Sequence, residues 1–282
     1  MIGMFKHRYK LTYERGYVYG GATSYLDCDE YSPNTDTWDN KTDLPAPNRS
    51  QLTASTILNK GYIFGGAGSL QDTDEYYPDS WANKTDMPSP GRYYFSSSTI
   101  NDKGYVYGGY SFIMDTDEYT PDSWVSKANG PARMNNAAST INDKGYIYQG
   151  SESGHNWILD TDEYNSVLNS WASKLDCSAP GKRYLAGSTI SNKGYVYCGY
   201  GGGGLQDCDE YDSVLNSWVS KTNAPAPARW HVVASTINDK GYIYGGAGPL
   251  QDCDKYTPDT WTSVENLPSP ARERSAASTI TS

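Results

Sequence analysis

Residues 234–246 read ASTINDKGYIYGG, and close copies of this stretch recur along the chain. A Gly-Tyr-(Val/Ile)-(Tyr/Phe) segment begins at six positions: Gly16, Gly61, Gly104, Gly145, Gly194 and Gly241. A Trp recurs in step with it, at residues 38, 81, 124, 171, 218 and 261, with spacings of 43 to 47 residues. A period of this length indicates a repeat architecture, in which each unit buries its apolar faces against its neighbours.

Each unit predicts four short β-strands. In the last unit, residues 234–237 form the first strand, residues 238–241 form a tight turn, and residues 242–244 form the second strand. A D-x-D-E-Y element predicts the third strand, and the recurring Trp lies in the fourth. We expect Gly241 to adopt a positive φ angle in the turn. No segment keeps a helical hydrophobic period, so no helix is predicted.

Six such units predict an all-β, six-bladed β-propeller with four antiparallel strands per blade, in one domain spanning residues 1–282. The last copy of the first strand, within residues 273–282, has no blade after it, while residues 1–15 are unlike the repeats. We therefore expect the C-terminal strand to complete blade one and close the ring, which removes two exposed sheet edges. The alternative is that residues 6–13 provide this inner strand.

The repeats resemble those of the kelch family. The Gly-Gly doublet, the downstream Tyr, the Trp at a fixed offset and the Arg after a Pro-rich stretch carry this resemblance across nearly the whole chain. The blades are unusually alike, which resembles bacterial or phage kelch arrays, or an engineered repeat. The resemblance implies a binding module in most cases, although some kelch propellers are enzymes, so the fold does not decide the function.

Composition narrows the choice of partners. The 282 residues carry a net charge of -10, which disfavours nucleic acid and anionic membranes as partners. No apolar run is long enough for a transmembrane helix, and no secretory signal is visible, so a cytoplasmic or virion-associated location is compatible. The five cysteines have no C-x-x-C spacing. The three histidines, His7, His155 and His231, do not form a metal-binding pattern, so we predict no metal and no cofactor.

An Arg precedes the first strand of every unit, at residues 49, 92, 133, 183, 229 and 272. A ring of Arg around the channel could hold a carboxylate through bidentate hydrogen bonds. We favour the alternative that each Arg pairs with a carboxylate of the equally numerous D-x-D-E-Y elements.

Function is expected where the repeats differ, in the segments after the Arg and after the Gly-Gly doublet. Aromatic and amide side chains there suit peptide or sugar binding. The predicted ligand-binding residues are Arg92, Tyr93, Tyr94, Tyr110, Trp157, Arg183, Tyr184, Arg229, Trp230 and His231. We predict no catalytic residue.

The leading hypothesis is a non-catalytic module that binds a protein or peptide segment, or a glycan. The first alternative is an enzyme acting on an acidic sugar, similar to kelch sialic-acid epimerases, with one Arg and one Glu or His freed from structural pairing. The second is a repeat scaffold, natural or designed, without a small ligand, in which every Arg is paired.

Overall fold

The computed structural model describes residues 12–22, 25–248 and 250–282 and builds them into six four-stranded antiparallel sheets. No helix is present within these residues. His7 and most of the segment 1–15 that is unlike the repeats lie outside the described residues. The strands are β1 (Glu14–Tyr19), β2 (Cys28–Ser32), β3 (Thr37–Lys41), β4 (Thr53–Ile57), β5 (Lys60–Phe64), β6 (Thr73–Tyr76), β7 (Trp81–Lys84), β8 (Ser96–Ile100), β9 (Lys103–Tyr107), β10 (Thr116–Thr120), β11 (Ser123–Ser126), β12 (Ala137–Ile141), β13 (Lys144–Tyr148), β14 (Thr161–Asn165), β15 (Ser170–Ser173), β16 (Ala186–Ile190), β17 (Lys193–Tyr197), β18 (Cys208–Asp212), β19 (Ser217–Ser220), β20 (Val233–Ile237), β21 (Lys240–Tyr244), β22 (Cys253–Thr257), β23 (Thr260–Val264) and β24 (Ala276–Thr281).

The sheets are the six blades of a β-propeller, as the repeats predict. Blade one has the strand order β24-β1-β2-β3, and blades two to six follow as β4–β7, β8–β11, β12–β15, β16–β19 and β20–β23. The first strand of each sheet faces the axis and contacts the first strands of both neighbouring blades, so the six inner strands form a complete ring.

The C-terminal strand closes the ring. Strand β24 pairs with β1 along its whole length, from Glu14 opposite Thr281 to Tyr19 opposite Ala276. The prediction of C-terminal closure is therefore confirmed. The alternative, with residues 6–13 as the inner strand, is wrong because β24 already occupies that position beside β1.

The turn between the first two strands differs from its prediction. Asn238 and Asp239 adopt the positive φ angles, 50° and 57°, that a two-residue hairpin turn requires. Gly241 instead lies inside β21, where a Cβ would collide with the Tyr197 hydroxyl of the preceding blade. The glycine is thus needed for close packing between blades, and the expectation that it supplies the turn's positive φ is wrong.

Aromatic side chains fill the space between neighbouring blades. The rings of Tyr148 in blade four and Trp218 in blade five meet edge to face, with centroids 5.3 Å apart. The Trp218 indole also donates a hydrogen bond of 3.0 Å to the Leu175 carbonyl of blade four. The other recurring Trp residues make equivalent hydrogen bonds to the preceding blade. Each repeat therefore depends on its neighbour for burial, as expected for stacked repeats.

We predict that Gly145→Ala destabilises the protein by about 1–3 kcal/mol, because its Cβ would overlap the Tyr107 hydroxyl. Urea denaturation measures this change. Gly104→Ala should cost less, because the added Cβ would lie 3.0 Å from Ile57 Cδ1 and 3.2 Å from the Phe64 ring, with no hydroxyl in the way. Gly203→Ala is the control, since nothing lies within 4 Å of its Cβ. Equal effects at all three positions would contradict this account of the packing.

Candidate functional site

A buried cation stands before the inner strand of every blade and pairs with an Asp of the third strand. The Arg–Asp pairs are Arg49–Asp74, Arg92–Asp117, Arg133–Asp162, Arg229–Asp254 and Arg272–Asp29. In blade five the cation is Lys182, whose Nζ lies 2.9 Å from Asp209. The expected pairing of each Arg with a carboxylate therefore holds in five blades, and in blade five Lys182 makes the ion pair instead of Arg183.

The position of Arg183 is different from that of the other five Arg residues. Arg92 stands eight residues before Ile100, whereas Arg183 stands seven residues before Ile190, so Lys182 is the true equivalent. The sequence pattern placed Arg183 among the six equivalent Arg residues, but it lies one residue further along the chain and nearer the channel. Arg92 and Arg229 are fully buried in their ion pairs, so their guanidinium groups belong to the scaffold and do not face a ligand.

A ring of backbone hydrogen bonds surrounds the channel on the loop face. Each of six residues donates its N–H to the carbonyl of the equivalent residue in the preceding blade, at 2.8–3.1 Å. All six adopt φ angles of 56–59°, a left-handed conformation that is uncommon outside glycine. We call these residues the mouth ring: Gln51, Tyr94, Asn135, Tyr184, His231 and Arg274. Their backbones are equivalent, but their side chains are all different except for the two Tyr.

The mouth ring surrounds a shallow recess of about 90 Å³. The next residue of each blade forms its floor, which we call the collar: Leu52, Phe95, Asn136, Leu185, Val232 and Ser275. Four of the six collar side chains are apolar and buried. Beyond the collar the channel continues between small side chains to a wider chamber lined by Ala, Gly, Ser and Thr.

His231 is held neutral at one side of the recess. Its ring lies against that of Tyr184, with centroids 3.9 Å apart. The Arg274 Nε–H donates to its Nδ1 at 2.7 Å, which leaves Nε2 as the nitrogen that carries a proton. Burial, with the positive charges of Arg274 and Arg183, lowers the pKa of His231 to about 3. The imidazole is therefore a neutral hydrogen-bond donor at neutral pH.

Arg183 lies among three aromatic rings beside the mouth. Its guanidinium carbon is 4.8 Å from the ring centroid of Tyr184, 5.7 Å from that of Tyr200 and 5.8 Å from that of Trp157. These are cation–π distances. Unlike the buried cations, Arg183 forms no ion pair with any carboxylate of the described residues, and its Nε has no hydrogen-bond partner among them.

The remaining predicted aromatics extend this cluster along the rim. Tyr93 and Tyr110 are stacked with centroids 4.5 Å apart, and Tyr93 also contacts Tyr94 of the mouth ring. On the other side Trp230 meets Tyr200 edge to face. Tyr110 and Trp157 are 44% and 38% exposed, so this rim offers accessible aromatic surface.

The structure therefore brings eight of the ten predicted residues together on one face, leaving out Arg92 and Arg229. It adds Arg274, Asn135 and Tyr200, which lie in the variable segments but were not predicted as site residues. An alignment of the blades on the buried Ile of the inner strand would have found Arg274 and Asn135, because it places them level with His231.

The described residues contain no cluster of three or more His, Cys, Asp or Glu side chains that could bind a metal ion. They also contain no helix that is long and apolar enough to cross a membrane. All five cysteines are buried and unpaired, and burial raises the pKa of each thiol, so none is an activated nucleophile.

No family model and no curated protein matches the chain. Its fold does match solved structures, with 438 similar chains. One of these, the structure of YjhT, aligns with a TM-score of 0.75 at 16% identity, covering 91% of this chain and 98% of that chain. At this identity the similarity shows only the fold, a six-bladed β-propeller. The kelch family therefore stays a resemblance that rests on the repeated sequence motif.

We predict that acid destabilises the native protein partly through His231. Its folded pKa of about 3 lies below its ordinary value of 6.5, so between these pH values the unfolded chain binds a proton that the folded chain does not. Stability should therefore fall as the pH falls from 6.5, with a slope of up to about 1.4 kcal/mol per pH unit from this group. Thermal unfolding of His231→Asn across this range should show a shallower dependence on pH.

The matched control is His155→Asn, because this exposed residue also has a positive φ angle, of 60°. It should keep the pH dependence of the wild type. A wild-type slope in His231→Asn would contradict the neutral state assigned to the imidazole.

Proposed function

We propose that the protein is a non-catalytic interaction module whose loop face binds an acidic segment of another protein. A carboxylate of that segment would meet Arg183 at the mouth, while its neighbouring residues would lie on the exposed aromatic rim. The function is proposed for the mouth ring and its surroundings, since this is where the otherwise similar blades differ.

The unpaired charge of Arg183 is the observation that carries this proposal. Six buried cations have an Asp partner in their own blade, but Arg183 has none among the described residues. The three aromatic rings hold its guanidinium in place without neutralising it. A fixed guanidinium with free N–H donors binds a carboxylate well, because little conformational freedom is lost on binding. A scaffold without a ligand would give no reason for this unpaired cation.

The size of the recess favours a protein segment over a small molecule. Pockets for small ligands usually enclose about 300–1,000 Å³, whereas the mouth encloses about 90 Å³. It can therefore accept one side chain, but it cannot surround a larger ligand. The rim around it is rich in Tyr, Trp and Arg, the residue types that contribute most binding energy in protein interfaces.

The charge of the whole chain restricts the partner further. A net charge of -10 repels an extended polyacidic ligand, so attraction must come from the immediate surroundings of Arg183. A segment with one or two acidic residues among apolar and aromatic ones fits this requirement. A glycan bearing a carboxylate shares the same anionic chemistry and is distinguished from a peptide by experiment.

The enzyme alternative has less support. A general base works best with a pKa near the working pH, but the pKa of His231 is lowered to about 3. The carboxylate of Glu273 lies 3.6 Å from the Arg274 Nε and is thus held in an ion pair. Although Arg183 is unpaired, neither His231 nor Glu273 is the freed acid or base that this alternative requires.

We predict that short random peptides selected by display on the immobilised protein will be enriched in Asp or Glu beside aromatic residues. Arg183→Met should weaken the binding of the selected peptides about tenfold or more, as expected for loss of a charged hydrogen bond. Methionine keeps an apolar side chain between the aromatic rings but removes the charge. Fluorescence anisotropy with labelled peptides measures the affinities.

Lys240→Met is the control, since it removes one positive charge at the opposite end of blade six, and it should leave the affinities unchanged. A glycan array probed in parallel tests the other ligand class. Selected peptides that lack acidic residues, or that bind Arg183→Met as tightly as the wild type, would contradict the proposal, and so would binding to acidic glycans alone.

A further inference from the structure

Two amide side chains at the mouth have polar atoms without partners. Asn135, in the mouth ring, is only 5% exposed, and neither its Oδ1 nor its Nδ2 has a hydrogen-bond partner among the described residues. Asn136, in the collar, donates from Nδ2 to the Ser96 hydroxyl at 2.7 Å, but its Oδ1 has no partner among these residues. Both side chains line the recess.

Buried polar groups in folded proteins are nearly always hydrogen-bonded, and an unpaired one is costly. At the other five mouth positions no unpaired buried polar atom is found among the described residues. These orphaned groups are therefore concentrated on blade four, where they border the recess. They comprise both acceptors and a donor, so they match a partner that can donate and accept at once.

The recess itself is close to electrically neutral. The Arg274 Nε donates to His231 and lies 3.6 Å from the Glu273 carboxylate, so its charge is partly balanced. His231 is uncharged, as its lowered pKa requires. The unpaired charge of Arg183 lies outside this space, among the aromatic rings of the rim. The recess and the rim thus have different chemistry.

We infer that the recess binds a neutral carboxamide, the side-chain amide of an Asn or Gln in the partner segment. This inference rests on the proposed function, since the same segment would place its carboxylate on Arg183. The two N–H groups of the carboxamide donate to the Oδ1 atoms of Asn135 and Asn136, and its carbonyl accepts from the Asn135 Nδ2–H. The aliphatic carbons of that Asn or Gln side chain pack against the apolar side chains of the collar.

A carboxylate does not satisfy these groups. Because it only accepts hydrogen bonds, it would leave the Oδ1 atoms of Asn135 and Asn136 unpaired and place a negatively charged oxygen near these acceptors. An aliphatic side chain would leave every orphaned atom unpaired. A hydroxyl group has a single O–H, so it can donate to only one of the two Oδ1 atoms. A carboxamide has two N–H groups and a carbonyl, so it can pair with all three unpaired atoms.

The test uses acetamide as a probe, with acetate and acetone as controls of similar shape. Nuclear magnetic resonance of the full chain follows the side-chain NH₂ signals of Asn135 and Asn136 during each titration. We expect acetamide to shift these signals with saturation, whereas acetone, which cannot donate, and acetate, which only accepts, shift them much less. Acetate should instead perturb the guanidinium signals of Arg183.

Two variants test the role of Asn135. Asn135→Gly removes the side chain and suits the positive φ of 59°, while Asn135→Asp keeps the shape but removes the donor. Both should weaken the acetamide response about tenfold, the effect of losing one well-placed hydrogen bond. The matched control is Asn101→Gly, an exposed position with a φ of 50° in a turn distant from the mouth. It should keep the wild-type response, and thermal unfolding checks that each variant is folded.

The outcomes separate this inference from the proposed function. If acetamide causes no shift, or if acetate and acetone shift the Asn135 signals equally, the carboxamide assignment is overturned. In that case the proposed function still holds if the acidic peptides bind the wild type and bind Arg183→Met more weakly. If substitutions at the mouth change neither the acetamide-induced shifts nor the affinities of the selected peptides, both proposals are overturned.

Discussion

The buried ion pair between a cation and an Asp in each blade is the interaction on which the rest of the structure depends. It joins the segment before the inner strand to the third strand of the same sheet, as Arg133 does with Asp162. The backbone of the same segment also contacts the preceding blade, where the Gly109 N–H donates a hydrogen bond to the Arg133 carbonyl. In blade one the pair Arg272–Asp29 connects two ends of the chain that are 243 residues apart. Removing one partner of such a pair leaves a buried charge and costs about 3–5 kcal/mol.

This repeated framework explains why the mouth can vary. The segment after each buried cation has its direction fixed by the ion pair, and the backbone hydrogen bonds of the mouth ring hold it in a left-handed conformation. Such strained backbone is tolerated where the surrounding structure enforces it, and it is often found at functional sites. The side chain at each mouth position is then free to differ, as Asn135, His231 and Arg274 do. The backbone framework is therefore the same in every blade, and the blades differ in the side chains that they present at the mouth.

The fold could be predicted from the sequence because the Trp residues recur at a regular spacing. The ring closure could be predicted because the last copy of the first strand has no blade after it. The site was harder to predict. The chain Gly181-Lys182-Arg183 offers two cations, and only the distance to Ile190 reveals which one is buried. The mouth ring could not be foreseen, because Gln, Tyr and Arg rarely adopt positive φ angles and do so here under constraint from neighbouring blades. The role of Gly241 was misassigned for a related reason, since its close neighbour, Tyr197, belongs to another blade.

The central claim is that the uniform parts of the blades serve the fold and that binding occurs at the unequal mouth. Hydrogen–deuterium exchange of the full chain, with and without a selected acidic peptide, tests it most directly. The account predicts slower exchange in residues 92–95, 182–185 and 229–232, with no change in the turns at the opposite end, such as residues 101–102. Protection confined to those turns or to the outer strands would contradict it.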